Sequence, residues 1–244
     1  MNYQKCKVIC DLQKKEEPLI SNIPCDEYTQ LCQNYFDYEF CGESKFYPYK
    51  LPKSLKNIDY KCLVITGSSG KGKSQLLKEF PFYHKKLKKY DNSKSIISNF
   101  NFTSKDDCMD RLASVGLSTV PTWCKPRNVL SVGEGFRADL ALNIDSEMCF
   151  DEFTSTVDRN VAISTVIGIK KYIEKHDLKK VVFCSCHKDY IDYMEPDIVI
   201  DLDDEKVYDC RNVELKKELS CQFTKSTTTQ LKKDFGEYLG NIII

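Results

Sequence analysis

The feature that most constrains this chain is a short glycine-lysine-serine run, Gly67-Ser68-Ser69-Gly70-Lys71-Gly72-Lys73-Ser74. It follows the apolar run Cys62-Leu63-Val64-Ile65-Thr66 and opens a stretch, residues 73–80, that reads as helix. The run fits G-x-x-x-x-G-K-[ST] in the strand-to-helix setting that gives the pattern a mechanism. Its glycines let the backbone curl tightly, so that successive N–H groups converge on phosphate oxygens. The helix start adds its positive end. Lys73 is placed to bridge the outer phosphates of a nucleotide, and Ser74 to hold Mg2+ by its hydroxyl. The nucleotide-contacting set expected here runs through Gly67, Ser68, Ser69, Gly70, Lys71, Gly72, Lys73, Ser74 and Gln75.

The rest of the chain is consistent with an α/β domain around that loop. Its 244 residues suit one domain, or one with a small appendage. Short apolar strands at 61–66, 95–99, 148–150, 181–184 and 198–202 alternate with helical stretches at 73–80, 105–115, 133–143 and 157–176, and residues 116–130, with Pro121 and Pro126, read as a loop. Such alternation predicts a mainly parallel sheet with helices on both faces. Residues 1–60 carry Pro18, Pro24, Pro48 and Pro52, which argues against long helices and for an antiparallel, β-rich subdomain. The expected division is therefore 1–60 for that subdomain, 61–210 for the core with a short helical region near 100–143, and 211–244 for a polar extension with a helix near Thr228–Leu239.

Lysine plus arginine and aspartate plus glutamate both number 36, so net charge gives no argument for an obligatory polyanionic partner. The longest apolar-leaning stretch, Val161–Ile169, is broken by Ser164, Thr165 and Gly168, far short of the ~20 residues of a membrane-spanning helix. Thirteen scattered cysteines and an N-terminus with no apolar signal region are read as free thiols in a cytoplasmic chain.

Further candidate residues lie downstream. Met148-Cys149-Phe150 ends in Asp151 and Glu152, where a strand-end acid can bind Mg2+ and its neighbour can polarise an attacking water. Ser131 and Glu134 can form a reciprocal cap at a helix start, which also exposes backbone N–H groups to an anion. Cys184, Cys186 and His187 suggest a metal, yet the strand period sends the cysteines and the histidine to opposite faces and no fourth ligand follows.

Taken in order, these strings resemble the motifs of ABC-type ATPases. Leu130-Ser131-Val132-Gly133-Glu134 looks like their signature loop, Asp151-Glu152-Phe-Thr-Ser-Thr-Val-Asp158 like their Walker B and D-loop run, and Val181-Val-Phe-Cys-Ser-Cys-His187 like the strand ending in their switch histidine. The resemblance covers about residues 60–203. Val132 stands where the family has glycine and Glu134 where it has glutamine. Strings such as Pro126-Arg-Asn-Val-Leu-Ser131 and Cys186-His-Lys-Asp-Tyr190 are similar to a soluble, non-transporter group found in phage and mobile elements and often fused to a predicted acetyltransferase domain. No acetyltransferase motif is seen in this sequence.

The resemblance implies a P-loop NTPase fold with a small antiparallel β subdomain, binding ATP and Mg2+ at the interface of a head-to-tail homodimer. It implies Glu152 as the base, His187 and Asn99 near the γ-phosphate, and Ser74 and Asp151 as metal ligands. Ser131 and Gly133 would reach the nucleotide of the other copy, and Asp158 would lie at the interface. Asn99 stands in place of the expected glutamine, one methylene shorter. Tyr38, Phe40, Phe46 and Tyr47 are the candidates to stack on adenine. What hydrolysis drives is open at this stage: a switch acting on a nucleic-acid or protein partner encoded nearby, the ATP-binding subunit of a transporter, or a slow nucleotide sensor. The short segment between Ser74 and Leu130 disfavours the transporter.

Overall fold

A computed structural model of the chain describes residues 2–211. The helix expected near Thr228–Leu239 lies outside them. The central sheet is made of β1 (Lys7–Asp11), β4 (Cys62–Thr66), β5 (Met148–Phe150), β6 (Val181–Ser185), β7 (Ile198–Asp201) and β8 (Lys206–Asp209), in the order β1-β8-β7-β4-β6-β5. The four strands from β7 to β5 are parallel, whereas β1 and β8 add an antiparallel edge. A separate two-stranded antiparallel sheet pairs β2 (Leu19–Asn22) with β3 (Glu43–Phe46). Between them lies α1 (Glu27–Phe36).

The remaining helices are α2 (Lys73–Leu77), α3 (Lys105–Ser114), α4 (Val120–Trp123), α5 (Val132–Asn143), α6 (Arg159–Lys175) and α7 (Ile191–Met194). The two-residue strand period sorts the core into halves. Val64, Phe183 and Val199 face a cluster with Leu112 of α3, Leu140 of α5 and Val166 of α6. Leu63, Ile65, Val182 and Ile200 face the other side, with Leu76 and Leu77 of α2. Strands buried on both faces read as unbroken apolar runs, and this is why β4, β6 and β7 stand out in the sequence.

Four local expectations are corrected. Residues 95–99 form no strand; Ile97–Asn99 is a single 3-10 turn. The proline-dense N-terminal region holds a ten-residue helix, α1, started by an Asp26–Thr29 capping box two residues after Pro24. The loop-like stretch 116–130 contains α4 and a 3-10 turn, Arg127–Val129. Cys6 and Cys210 form a disulfide rather than two free thiols. Antiparallel pairing of Lys7 with Asp209 sets these flanking cysteines opposite one another, with Cα atoms 5.1 Å apart.

Helices α3 and α6 pack very closely. A Cβ added to Gly168 would lie 2.0 Å from the Ser114 carbonyl oxygen, so only glycine fits there. Gly168→Ala should therefore destabilise the fold by ~1–3 kcal/mol, read from urea unfolding. Beside this contact, Asp107 accepts from Tyr172 Oη at 2.6 Å and Arg111 Nε at 2.8 Å. Burial alone would raise its pKa, but the bonds from Thr103, Tyr172 and Arg111 outweigh that and bring it to about 2. A depressed carboxyl stabilises the fold above its unfolded pKa of ~3.9 and loses that contribution as pH falls toward its folded value. Acid titration of stability should thus show a loss between about pH 4 and 2 that Asp107→Asn flattens.

Candidate functional site

Parallel register brings the ends of three strands to one edge of the sheet. Thr66 pairs with Ser185, and Phe150 with Phe183, so the residues that follow β4, β5 and β6 emerge together. They enclose a cavity of about 450 Å³. That volume falls within the ~300–1,000 Å³ usual for small-molecule sites. Its walls include Ser69, Gly70, Gly72, Lys73, Ser74 and Gln75 from the loop, Asp151 and Glu152 from the end of β5, and Ser185 and Cys186 from the end of β6.

The loop is shaped by its own bonds. Lys73 Nζ donates to the carbonyls of Gly67 and Ser68, each at 2.8 Å, and closes the loop into a ring. Among the described residues, the amides of Ser69, Gly70, Gly72, Lys73 and Ser74 donate to no protein acceptor, leaving them for oxygens that enter the cavity. Gly72 sits at φ 91°, in the left-handed region, and a Cβ there would come within 2.5 Å of the Phe46 ring. Glycine is required at this position on both counts. Of the four aromatic candidates only Phe46, the last residue of β3, reaches this cavity. Tyr38 and Phe40 line a different groove, and Tyr47 is exposed.

The acidic turn is held against β6. Phe153 N–H donates to the Cys184 carbonyl at 2.8 Å, and Asp151 Oδ1 accepts the Glu152 N–H at 2.9 Å. Glu152 and Thr154 adopt φ values of 50° and 67°. Left-handed conformations at non-glycine residues gather at functional sites, where the surrounding fold imposes them. Burial raises the pKa of the Cys184 thiol, and the nearby Asp151 raises it further, so this cysteine is a neutral wall residue. The hydroxyl of Ser74 and the carboxylate of Asp151 are hard oxygen donors on one cavity, a set that suits Mg2+.

The other sequence candidates, His187, Ser131, Gly133, Asp158 and Asn99, and with them Gly67, Ser68 and Lys71 of the loop, do not line this cavity. His187 lies just past β6, next to Cys186, with its amide bonded to Ser185 Oγ at 3.1 Å. Ser131 is exposed at the start of α5, where it and Glu134 form a reciprocal capping box. Ideal Cβ geometry at Gly133 meets Val157 at 3.4 Å and the Thr156 carbonyl at 3.6 Å, so the α5 tip packs on the segment between Glu152 and Asp158. Asp158 is exposed and caps α6 through the Asn160 N–H. Asn99 is not brought to the cavity: its side chain accepts from Asp91 N–H and donates to the Ser95 carbonyl, each at 2.8 Å, bracing its own loop. Among the described residues, no group of three or more His, Cys, Asp and Glu side chains is arranged to hold a metal ion.

Sequence reasoning missed a set of charges behind the loop. Asp203 accepts the Ser68 N–H at 2.9 and 3.1 Å, and Lys188, the neighbour of His187, lies 3.1 Å from Asp203 and 2.9 Å from Asp201. Asp201 is fully buried and also accepts Tyr3 Oη at 2.7 Å. The Ser68 N–H, and after it Lys188, outweigh desolvation and lower the Asp203 pKa. Burial opposes the charge of Lys188, but the carboxylates of Asp201 and Asp203 outweigh it and raise the pKa. In sequence Asp201 falls within the strand at 198–202 and Asp203 in the polar turn after it; nothing marks the reach of Asp203 across to Ser68.

No family model matches the sequence, and no curated protein matches it. Among solved structures, the chain is similar to the dimeric MJ0796, a bacterial ABC transporter cassette, at 14% identity and a TM-score of 0.51, over 82% of this chain and 99% of that one. The same cassette in a post-hydrolysis dimer bound to ADP and Pi aligns at 13% identity with a TM-score of 0.49, over the same shares of the two chains. The chain shares the fold of that ABC cassette. Its mostly parallel sheet, flanking helices and small antiparallel sheet all follow that plan. No helix among the described residues is long and apolar enough to cross a membrane.

Asp203→Ala removes the acceptor of Ser68. On the reading proposed below, that this loop takes a nucleotide, the change should weaken nucleotide affinity about tenfold, the worth of one charge-assisted bond of ~1.5 kcal/mol. Calorimetric titration checks this, and an unchanged affinity would mean that the loop holds its shape without Asp203.

Proposed function

We propose that the chain binds ATP and hydrolyses it to ADP and phosphate between two copies arranged head to tail. The observation that carries this reading is the meeting of Lys73 and Ser74 with Asp151 and Glu152 in one cavity. The unbonded loop amides and the Lys73 ammonium take the phosphate oxygens. Ser74 and Asp151 hold Mg2+, which when bound neutralises phosphate charge. Glu152 accepts a proton from the attacking water, and Phe46, over Gly72, offers a face to adenine. His187 approaches the γ-phosphate from the end of β6.

The second copy supplies Ser131 and Gly133. Ser131 is in water at a helix start, and the packing of Gly133 on Thr156 and Val157 ties that tip to the turn that begins at Glu152. Asp158 lies on the same exposed segment, at the interface. Opening and closing of this dimer, driven by ATP in the cytoplasm, serves as a switch on a partner macromolecule.

Titration of the purified chain with ATP and Mg2+ should give saturable heat that Lys73→Ala abolishes. Glu152→Gln should keep binding, slow turnover by ~10²–10⁴-fold and trap an ATP-bound dimer in sedimentation. Absence of ATP binding by the unaltered protein, or unchanged turnover in Glu152→Gln, would overturn the reading.

A further inference from the structure

Helix α1 presents its polar side inward and its apolar side to water. Tyr28, Leu31, Cys32, Tyr35 and Phe36 follow the i, i+3, i+4, i+7, i+8 pattern of a single stripe. Such a stripe ordinarily faces a core, yet Tyr28, Tyr35 and Phe36 are 72%, 77% and 75% exposed, and no residue of α1 is buried. Thr29 and Gln33, one turn apart on another side, are the half-buried ones. Beside the stripe runs a groove of about 420 Å³ lined by Thr29, Cys32, Phe36, Tyr38 and Phe40. Leu19, Ile20 and Ile23 add further exposed apolar surface nearby in sequence. Concentrated apolar exposure of this kind marks an interaction surface.

The charge of the same stretch selects the occupant. Residues 16–43 contain seven acidic side chains and no lysine or arginine, in a chain whose totals balance at 36 each; Glu16 and Glu43 pair with Lys50 and Lys45 from outside the stretch and Asp26 caps α1, so the acids outside such contacts, among the described residues, are Glu17, Glu27, Asp37 and Glu39. A nucleic acid or an anionic lipid surface is repelled by such a face. A second copy would set the same acids against each other, a like-charge contact that costs association. Lysine or arginine flanking apolar anchors meets both properties at once.

We propose that the outer face of α1 and its groove dock a basic, apolar segment of another polypeptide, with leucine- or phenylalanine-type side chains in the groove and Lys or Arg over Glu27, Asp37 and Glu39. The expected mode is a short segment laid into a groove, anchored by a few apolar side chains. The docking surface stands on surface geometry alone; taking its occupant as the switched partner, a protein rather than a nucleic acid, rests on the function proposed above.

The test uses the intact chain. A random-peptide library displayed on phage is panned against it, and synthetic copies of the selected peptides are titrated. Two variants are compared: Tyr35→Ser with Phe36→Ser, and Glu27→Gln with Asp37→Asn and Glu39→Gln. Selected peptides should combine Lys or Arg with Leu or Phe, and each variant should lose affinity about tenfold or more while melting and ATP turnover stay as in the unaltered chain. Peptides that bind both variants as well as the original, or that carry no basic residues, would overturn the proposal. So would an ATP-independent dimer that the Tyr35→Ser/Phe36→Ser variant dissolves, since the occupant would then be a second copy.

Discussion

Parallel hydrogen bonding of β4, β6 and β5 is the constraint from which the site follows. A parallel ladder points every carboxyl end the same way, so three loops distant in sequence must open onto one edge. The loop after β4 brings a lysine and unbonded amides, the turn after β5 brings two carboxylates, and the end of β6 brings Ser185 and, just past it, Cys186. None of these segments could hold such a conformation alone. Two of them begin where a strand buried on both faces stops, β4 and β6, the third at the end of the edge strand β5, and the two halves of the core, on α2 and on α3, α5 and α6, keep the strands in register.

Behind the cavity, the charges of Lys188, Asp201 and Asp203 do for the loops what the ladder does for the strands. A buried carboxylate must be paired, and Asp201 meets that demand with Lys188 and the Tyr3 hydroxyl. Asp203 shares the same ammonium and reaches Ser68. A salt bridge on the far side, Arg159 with Asp189, ties the start of α6 to the loop after His187. The phosphate loop, the His187 loop and the segment after Glu152 are thus braced to one another by ion pairs and hydrogen bonds, apart from the sheet.

How much of this was legible in the sequence depended on whether the governing interaction was local. The phosphate loop, β4 and the capping box of α5 are set by neighbours within a few residues, and their patterns survive in one dimension. The sheet interior was legible because strands buried on both faces need unbroken apolar runs. Ser95-Ile96-Ile97-Ser98-Asn99 misled because a short β-branched run has the composition of a strand; here Ile96 is buried and Asn99 is bound to Asp91 and Ser95, which favours a tight turn. Helix α1 was hidden because its apolar stripe is not core and prolines flank it. The pairing of β1 with β8, and with it the Cys6–Cys210 bond, joins residues 204 positions apart. No local pattern records such a meeting, and the same holds for Asp203 and Ser68.

Phe46 belongs to two neighbourhoods. Its ring lies against Gly72 and lines the cavity at the strand ends, while its backbone, in β3, is hydrogen-bonded to β2 in the small sheet that brackets α1. A weight placed on α1 therefore has a short lever to the Gly67–Ser74 loop: one strand, ending in one ring. Thermodynamic reciprocity then applies, because any influence that loading α1 has on the affinity of that cavity must be returned in full by the cavity's occupant to whatever sits on α1.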